Sequence, residues 1–452
     1  MAGRRSDENL RPIYVVSAAF GRGDFLETLR SGDGAETMFI RYQDGESSTC
    51  RYVDHAGERL VPFSPSNNLF AHDVILLPDR ASPYAAEADL FEAVQAFIHR
   101  NVDVTPAFER VAATYVLLTW VYDAFDVVPY LRVRGDFGSG KTRFLTTVGS
   151  ICYKPMFASG ASTVSPLFRI IDTFRGTLVI DEGDFRYSDE RAEVVKILNN
   201  GNARGFPVLR TEQINKREFE PRAYVVYGPK LVATRRDFSD PALESRCLTE
   251  DMGTSKLRSD IPIILAEDFK NEAAALRNQL LSYRFRNFDR FIGTHDLLDA
   301  LVDPRLRQIL SPLFNVAVTD EVRDDLNRYA RESQQAHIAR RGLDSEAQLL
   351  EVIRDLLISM EGSHLPLGTI AEQFTEKHGA EYDYRVTVRW VGHMLRKKLQ
   401  LFSRKSQGVY VLPVEELRKL PRLYEKFGIP EGSSSSGQND AIGEIGGIGD
   451  KL

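Results

Sequence analysis

Cysteine is scarce: Cys50, Cys152 and Cys247 are the only three in 452 residues, too far apart for a disulfide framework or a zinc knuckle. The eight histidines are scattered without ligand spacing, and a reducing cytoplasm is the compartment this usage fits. Long apolar runs are also missing. The longest, Val111 to Tyr122, is bounded by Arg110 and Asp123 and falls short of the roughly 20 residues a membrane span needs. It reads as a buried helix, and no membrane partner is expected. Arg4 and Arg5 are followed by no apolar core of signal-peptide type, so secretion is not expected. Excess positive charge is absent too: the net charge of −6 argues against blanket coating of nucleic acid and leaves such binding to local patches. In the first hundred residues neither a spaced carboxylate trio nor a His-based nucleotidyl-transfer motif occurs, so nothing points to polymerase or primase chemistry.

What remains is a globular composition, 43% hydrophobic and 27% charged, with length for two or three packed domains. Residues 1–105 mix short β-rich stretches (Ile13–Ser17, Met38–Tyr42) with turn signals, a small N-terminal domain of unread role. Helical periodicity takes over from Ala85 to Phe125. Strand and helix patterns then alternate, the mark of a parallel α/β sheet, so residues 106–260 are expected to form an α/β core. Residues 261–344 read as a charged helical lid and linker, and 345–413 as a compact helical unit ending in a hairpin. Residues 414–452 hold a last helix and a Ser/Gly-rich tail expected to be disordered.

The stretch "LRVRGDFGSGKTRF", residues 131–144, satisfies G-x-x-x-x-G-K-[ST] through Gly135, Asp136, Phe137, Gly138, Ser139, Gly140, Lys141 and Thr142. Tyr130–Arg134 reads as the strand before it and Thr142–Tyr153 as the helix after it, which is the setting the motif needs. Glycines let backbone N–H groups wrap phosphates, Lys141 reaches the β- and γ-phosphates of ATP, and Thr142 can hold Mg²⁺. Further on, "GTLVIDEGDF" delivers Asp181 and Glu182 from the apolar strand Leu178–Ile180. Asp181 suits Mg²⁺ coordination, and Glu182 suits activation of the attacking water. A third apolar strand, "KLVAT", ends on Thr234, and Arg246 follows "DPALES".

Residues 205–230 carry two alternating strand patterns, Pro207–Gln213 and Glu218–Val226, joined through Lys216 and Arg217. The segment 345–360 has a helical apolar stripe, 366–379 a helix-and-turn pattern, 384–399 an amphipathic helix, and 402–412 a hairpin turning at Gln407-Gly408. Together these look like a winged helix. Arg385, Arg389, Arg396, Lys397, Lys398, Arg404 and Lys405 fall there without an Asp or Glu between them, a phosphate-binding footprint. Winged helices also serve as protein-protein modules, so that alternative stays open.

Across roughly residues 85–413 the chain resembles AAA+ ATPases of the MCM-like helicase branch with a C-terminal winged helix, of prokaryotic or mobile-element type. The resemblance rests on the phosphate loop, on "LVIDE" and on "GPKLVATRRDFSDPALESRC". It implies a P-loop core with a helical lid, working in a homo-hexamer or similar ring on DNA with ATP and Mg²⁺, alongside other replication proteins. Thr234 then matches the sensor-1 position and Arg246 the arginine finger offered to the neighbouring subunit. Arg307, or less well Arg305, falls where the family keeps a sensor-2 arginine. Lys216 and Arg217 would tip a pore hairpin that grips DNA. The N-terminal hundred residues match no MCM-type oligonucleotide-binding domain. The function implied is an ATP-driven DNA translocase or helicase in replication; the alternatives are a nucleotide-switched initiator or loader that binds DNA without unwinding it, and a protein remodeller.

Overall fold

The computed structural model describes residues 10–160, 162–181, 189–215, 218–238, 240–253, 257–294, 302–342, 345–359, 364–379 and 386–430. The chain divides into two compact units, Met1–Arg331 and Glu332–Leu452.

The first unit opens with short strands: β1 (Pro12–Val15), β2 (Ser17–Gly21), β3 (Asp24–Arg30), β4 (Thr37–Gln43), β5 (Glu46–Cys50), β6 (Val53–His55) and β7 (Glu58–Pro62). β2-β3-β4-β5 form an antiparallel meander, while β1 runs parallel to β7, which pairs antiparallel with β6. In β3 both faces are covered. Leu26 packs with Phe39 and Leu60 on one side, and Phe25 meets Phe285 and Phe288 on the other.

Three helices follow, α1 (Asn68–Ala71), α2 (Glu87–Asn101) and α3 (Pro106–Val121). Thr105 caps α3 by accepting from the Phe108 amide, with Pro106 preset for the first turn. From Phe108 to Val121 all but Arg110 is buried, so the long apolar run is indeed a core helix. The α/β part then runs β8 (Tyr130–Arg134), α4 (Lys141–Ile151), β9 (Met156–Ser159), α5 (Val164–Phe174), β10 (Leu178–Asp181), α6 (Asp189–Asn200), the hairpin β11 (Val208–Asn215) and β12 (Glu218–Tyr224), β13 (Lys230–Thr234), α7 (Pro241–Glu244) and β14 (Cys247–Asp251). β14-β8-β13-β10-β9 form one parallel five-stranded sheet. Parallel strands are covered on both faces, which is why β8, β10 and β13 read as short, mostly apolar runs, Arg132 and Lys230 being buried exceptions. α8 (Phe269–Phe291), α9 (Pro304–Val316) and α10 (Asp320–Gly342) follow.

The boundary expected near residue 105 does not set the N-terminal strands apart, because buried charge ties them to the core. Glu27 on β3 pairs with Lys154 at 3.0 Å and with Arg284 of α8 at 2.9 Å, and accepts from the Tyr153 hydroxyl at 2.6 Å. Arg284 also reaches Asp123 at 2.7 Å. Breaking such a buried group strands a charge.

The second unit contains α11 (Ser345–Ser359), β15 (His364–Pro366), α12 (Leu367–His378), α13 (Val388–Lys397), β16 (Arg404–Ser406), β17 (Val409–Pro413), α14 (Val414–Leu417) and α15 (Leu420–Phe427). A three-stranded antiparallel sheet, β15-β17-β16, packs with the helices on their own core of Leu349, Ile353, Ile370, Phe374, Val391 and Leu412. The β16–β17 turn has positive φ at both Gln407 and Gly408, the two-residue geometry that keeps a hairpin's twist. The tail expected beyond Pro430 lies outside the described residues.

Candidate nucleotide site

β8 delivers the glycine loop and α4 receives it. Gly140, at φ +92°, turns the chain into α4, a conformation a side chain would oppose. At Gly135 an added Cβ would lie 2.6 Å from the Met252 carbonyl oxygen and 2.7 Å from Ser139 Oγ. Gly135 therefore has no room for a side chain. Lys141 Nζ folds back over it, donating to the carbonyls of Gly135 and Asp136, each at 2.7 Å.

β10 ends on Asp181, and Thr142 Oγ1 donates to Asp181 Oδ2 at 2.8 Å. β13 lies between β8 and β10, so Thr234 at its end stands between the loop and the carboxylate. Thr234 is buried, and its hydroxyl makes no hydrogen bond among the described residues. These side chains line a cavity of about 330 Å³ together with Arg143 and Arg235. The paired hydroxyl and carboxylate are hard oxygen donors, a set that fits Mg²⁺. Glu182 lies outside the described residues. Among those described, no group of three or more His, Cys, Asp or Glu is arranged to hold a metal ion.

Across Gly138–Gly140 lies a second cavity of about 680 Å³, with Val102, Val104, Met252, Leu257, Ile261 and Pro262 in its walls. A recess with an apolar wall, mixed with polar residues such as His99, Asp103, Glu109 and Arg258, joined to a polar cradle suits a base beside its phosphates. Glu250 stands in this recess; burial raises its pKa although Thr105 donates to it through both N–H and hydroxyl. The 102–105 linker and the segment after β14 carried no motif in the sequence. Phe137 was expected as part of the loop, but not the contact that its exposed ring makes 3.8 Å beneath the Arg235 guanidinium. Its signal was the basic pair Arg235-Arg236 in "ATRRD", directly after Thr234.

Arg246 and Arg307 do not join this cavity in their own chain. In the β14–β8 register Cys247 faces Tyr130 and Asp251 faces Arg134, so Arg246 sits at the start of the edge strand, five residues or about 17 Å along the strand from its loop end. Asn202 Oδ1 accepts from its Nε at 2.8 Å, and the Ala242 carbonyl from Nη1. Burial, with the Arg246 charge close by, lowers the Arg305 pKa, which puts the first turn of α9 at this same edge. Arg307 belongs to that helix, and this is why it is not brought to the phosphate cradle.

Of the residues expected to touch DNA, Lys216, Arg217 and Arg385 lie outside the described residues. The hairpin itself is present, and its inward face is fixed by Arg169–Glu212 at 2.5 Å and by Arg210 over the Phe168 ring at 5.2 Å. In the second unit Arg389, Arg396, Lys397, Lys398, Arg404 and Lys405 are all exposed. Lys398 is countered by Glu346 at 3.6 Å and Arg404 by Glu415 at 3.6 Å. On α13, Arg389, His393 and Arg396 follow the i, i+4, i+7 spacing of one helix face, opposite buried Val391, Met394 and Leu395.

No protein-family model matches this chain, and no curated protein matches it. Solved structures do align with it. "SCCmec type IV Cch - active helicase" aligns at 11% identity and TM-score 0.45, over 91% of this chain and 80% of that one. The NrS-1 C-terminal region aligns at 9% and 0.34, over 86% and 96%. The Aeropyrum pernix ORC1 protein in complex with DNA aligns at 15% and 0.23, over 74% and 95%. All three TM-scores are below 0.5, and the functional reading rests on the residues of this chain. No helix among the described residues is long and apolar enough to cross a membrane.

Proposed function

We propose that the chain is a P-loop ATPase of the AAA+ type. Within that class we read it as a ring-forming DNA translocase, a helicase of the MCM-like branch that serves replication of a mobile element or a chromosome. The observation that carries the reading is the 2.8 Å hydrogen bond from Thr142 to Asp181, which unites two motifs far apart in sequence. Thr142 and Asp181 would hold Mg²⁺, which when bound offsets the charge on the transferring phosphoryl group. Lys141 exchanges two backbone carbonyls for phosphate oxygens. The Thr234 hydroxyl, buried without a partner among the described residues, supplies a hydrogen bond to a phosphate or to the attacking water. Glu182 follows Asp181 directly in sequence and is the base this reading assigns.

The placement of Arg246 favours hydrolysis at a seam between two copies. It is remote from its own loop, held by Asn202 and Ala242, and at an edge a neighbour can approach. A finger supplied in trans is worth on the order of 10³–10⁵ in rate in GTPases. The exposed basic face of α13, in a winged-helix arrangement, is the DNA contact of this reading, and Lys216 and Arg217 are its pore contact.

ATP hydrolysis with Mg²⁺, measured with and without single-stranded or forked DNA, tests the proposal. Stimulation by DNA is expected; equal rates would overturn the motor.

A further inference from the structure

A cavity of about 540 Å³ opens between the end of β3, α4 and the first turn of α8, with Arg30, Ser31, Ser150, Lys270 and Arg277 in its walls. It shares no lining residue with the phosphate-loop cavity. Its volume lies within the roughly 300–1,000 Å³ of small-molecule sites.

Arg277 is the unusual wall residue. It is 8% exposed, donates from Nη1 to the Ser150 carbonyl at 2.6 Å, and keeps Nε buried without a partner among the described residues. The Nε of Arg30 is buried and unpartnered in the same way. The two acids of the cavity pair with wall residues, Asp73 with Lys270 at 3.1 Å and with Arg30 at 3.9 Å, Asp79 with Asn278 and with Arg80 at 3.7 Å, so that the four cations Arg30, Arg80, Lys270 and Arg277 outnumber them. Burial pushes the Arg277 pKa down to about 10, with the more distant Asp79 and Asp73 opposing. A guanidinium held out of water with an idle N–H is costly unless something accepts from it.

The surroundings suit an anion. Lys270 and Arg277 are seven residues apart, on one face of α8, with the small Ala273 and Ala274 between them. α8 walls the cavity along its side from Phe269 to Asn278.

We propose that this cavity is a second anion site, taking the phosphate group of a small phosphate ester apart from the phosphate loop. Arg277 and Arg30 donate to its oxygens, and Lys270 closes the open side. This assignment does not depend on the ATPase reading.

The test is calorimetric titration of inorganic pyrophosphate into the full chain carrying Lys141→Ala, which disables the phosphate loop. Saturable binding is expected, weakened at least about tenfold by Lys270→Ala and by Arg277→Gln, the loss that goes with one charge-assisted hydrogen bond. Lys270 is 84% exposed, so its variant reads the site even if Arg277→Gln fails to fold. Inorganic phosphate and a nucleoside monophosphate, titrated in parallel, distinguish the free ion from an ester as the preferred source. Absence of saturable binding, or binding indifferent to both substitutions, overturns the proposal. So does a cavity that takes a DNA oligonucleotide in a Lys270-dependent manner while refusing every small phosphate.

Discussion

Removing Glu244 should damage the protein more than removing the arginine it serves. Arg132, in the middle of β8, is wholly out of solvent, and Glu244 at the end of α7 has 17% of its side chain exposed. The guanidinium donates to both Glu244 oxygens at 2.6 and 2.5 Å, to Thr249 Oγ1 at 3.0 Å and to Asp237 at 3.4 Å. Glu244→Ala leaves that charge buried with the Thr249 hydroxyl and the longer Asp237 contact in place of its bidentate carboxylate, a loss of about 3–5 kcal/mol. Arg132→Met leaves a carboxylate that water can reach and a Phe238 amide that still donates to it at 3.1 Å, a loss of about 1–3 kcal/mol. The double variant with Leu at 244 should recover most of the difference, since an apolar pair of similar volume replaces the ions. The assay is urea unfolding of the full chain followed by Trp120 fluorescence in a Trp390→Phe background, because Trp120 is buried in the first unit and Trp390 packs in the second. Because α7 leads straight into Arg246, Glu244→Ala should also slow any reaction that needs that arginine. If Glu244→Ala stays within about 1 kcal/mol of wild type, or Arg132→Met is the worse of the two, the reasoning fails.

Thr142→Ala removes the hydroxyl shared with Asp181, and a charge-assisted bond worth about 1.5–3 kcal/mol translates into ATP turnover slowed about 10–150-fold, with Thr142→Ser retaining most of the rate; a steady-state assay with Mg²⁺ decides it. Substituting Arg389, Arg396 and Lys397 together with Ala should weaken DNA binding and flatten the plot of log affinity against log salt by nearly one unit per charge lost; an unchanged slope would remove α13 from the DNA interface. Lys230 is buried, donates to the carbonyls of Gly201, Val226 and Gly228, and is pushed by burial down to about 7. Between about 7 and the ordinary lysine value of about 10.4 the unfolded chain keeps a proton that the folded chain has released, so stability rises with pH across that window. Lys230→Met should flatten the rise between pH 7 and pH 9 in urea midpoints, and an unaltered slope would contradict it.

The parts of the fold most legible in the sequence are those whose signal is local. β8, β10 and β13 are short, mostly apolar runs that lead to Gly135, Asp181 and Thr234, the pattern of strands buried on both faces, with Arg132 and Lys230 as buried exceptions. The β11–β12 hairpin was equally visible, as alternation on either side of a polar joint. What stayed hidden depends on distant residues meeting. Nothing near Glu27 announces Lys154 and Arg284, so the N-terminal strands read as a separate piece. β15 is too short and too close to Pro366 to signal a strand, and forms because Leu365 pairs opposite Leu412. Phe137 under Arg235 joins two loops that touch only because β8 and β13 are neighbours. Arg277 looked like one more charge on a polar helix until α4 and β3 closed over it.

The central claim is that triphosphate cleavage needs Arg246 from one copy and the loop with Asp181 from another, and mixing tests it most directly. Chains carrying Arg246→Ala and chains carrying Lys141→Ala are each expected to be nearly inactive, and ATP turnover should return in part when the two are combined, since mixed seams contain one intact set. Full-rate hydrolysis by the Arg246→Ala chain on its own would contradict the account.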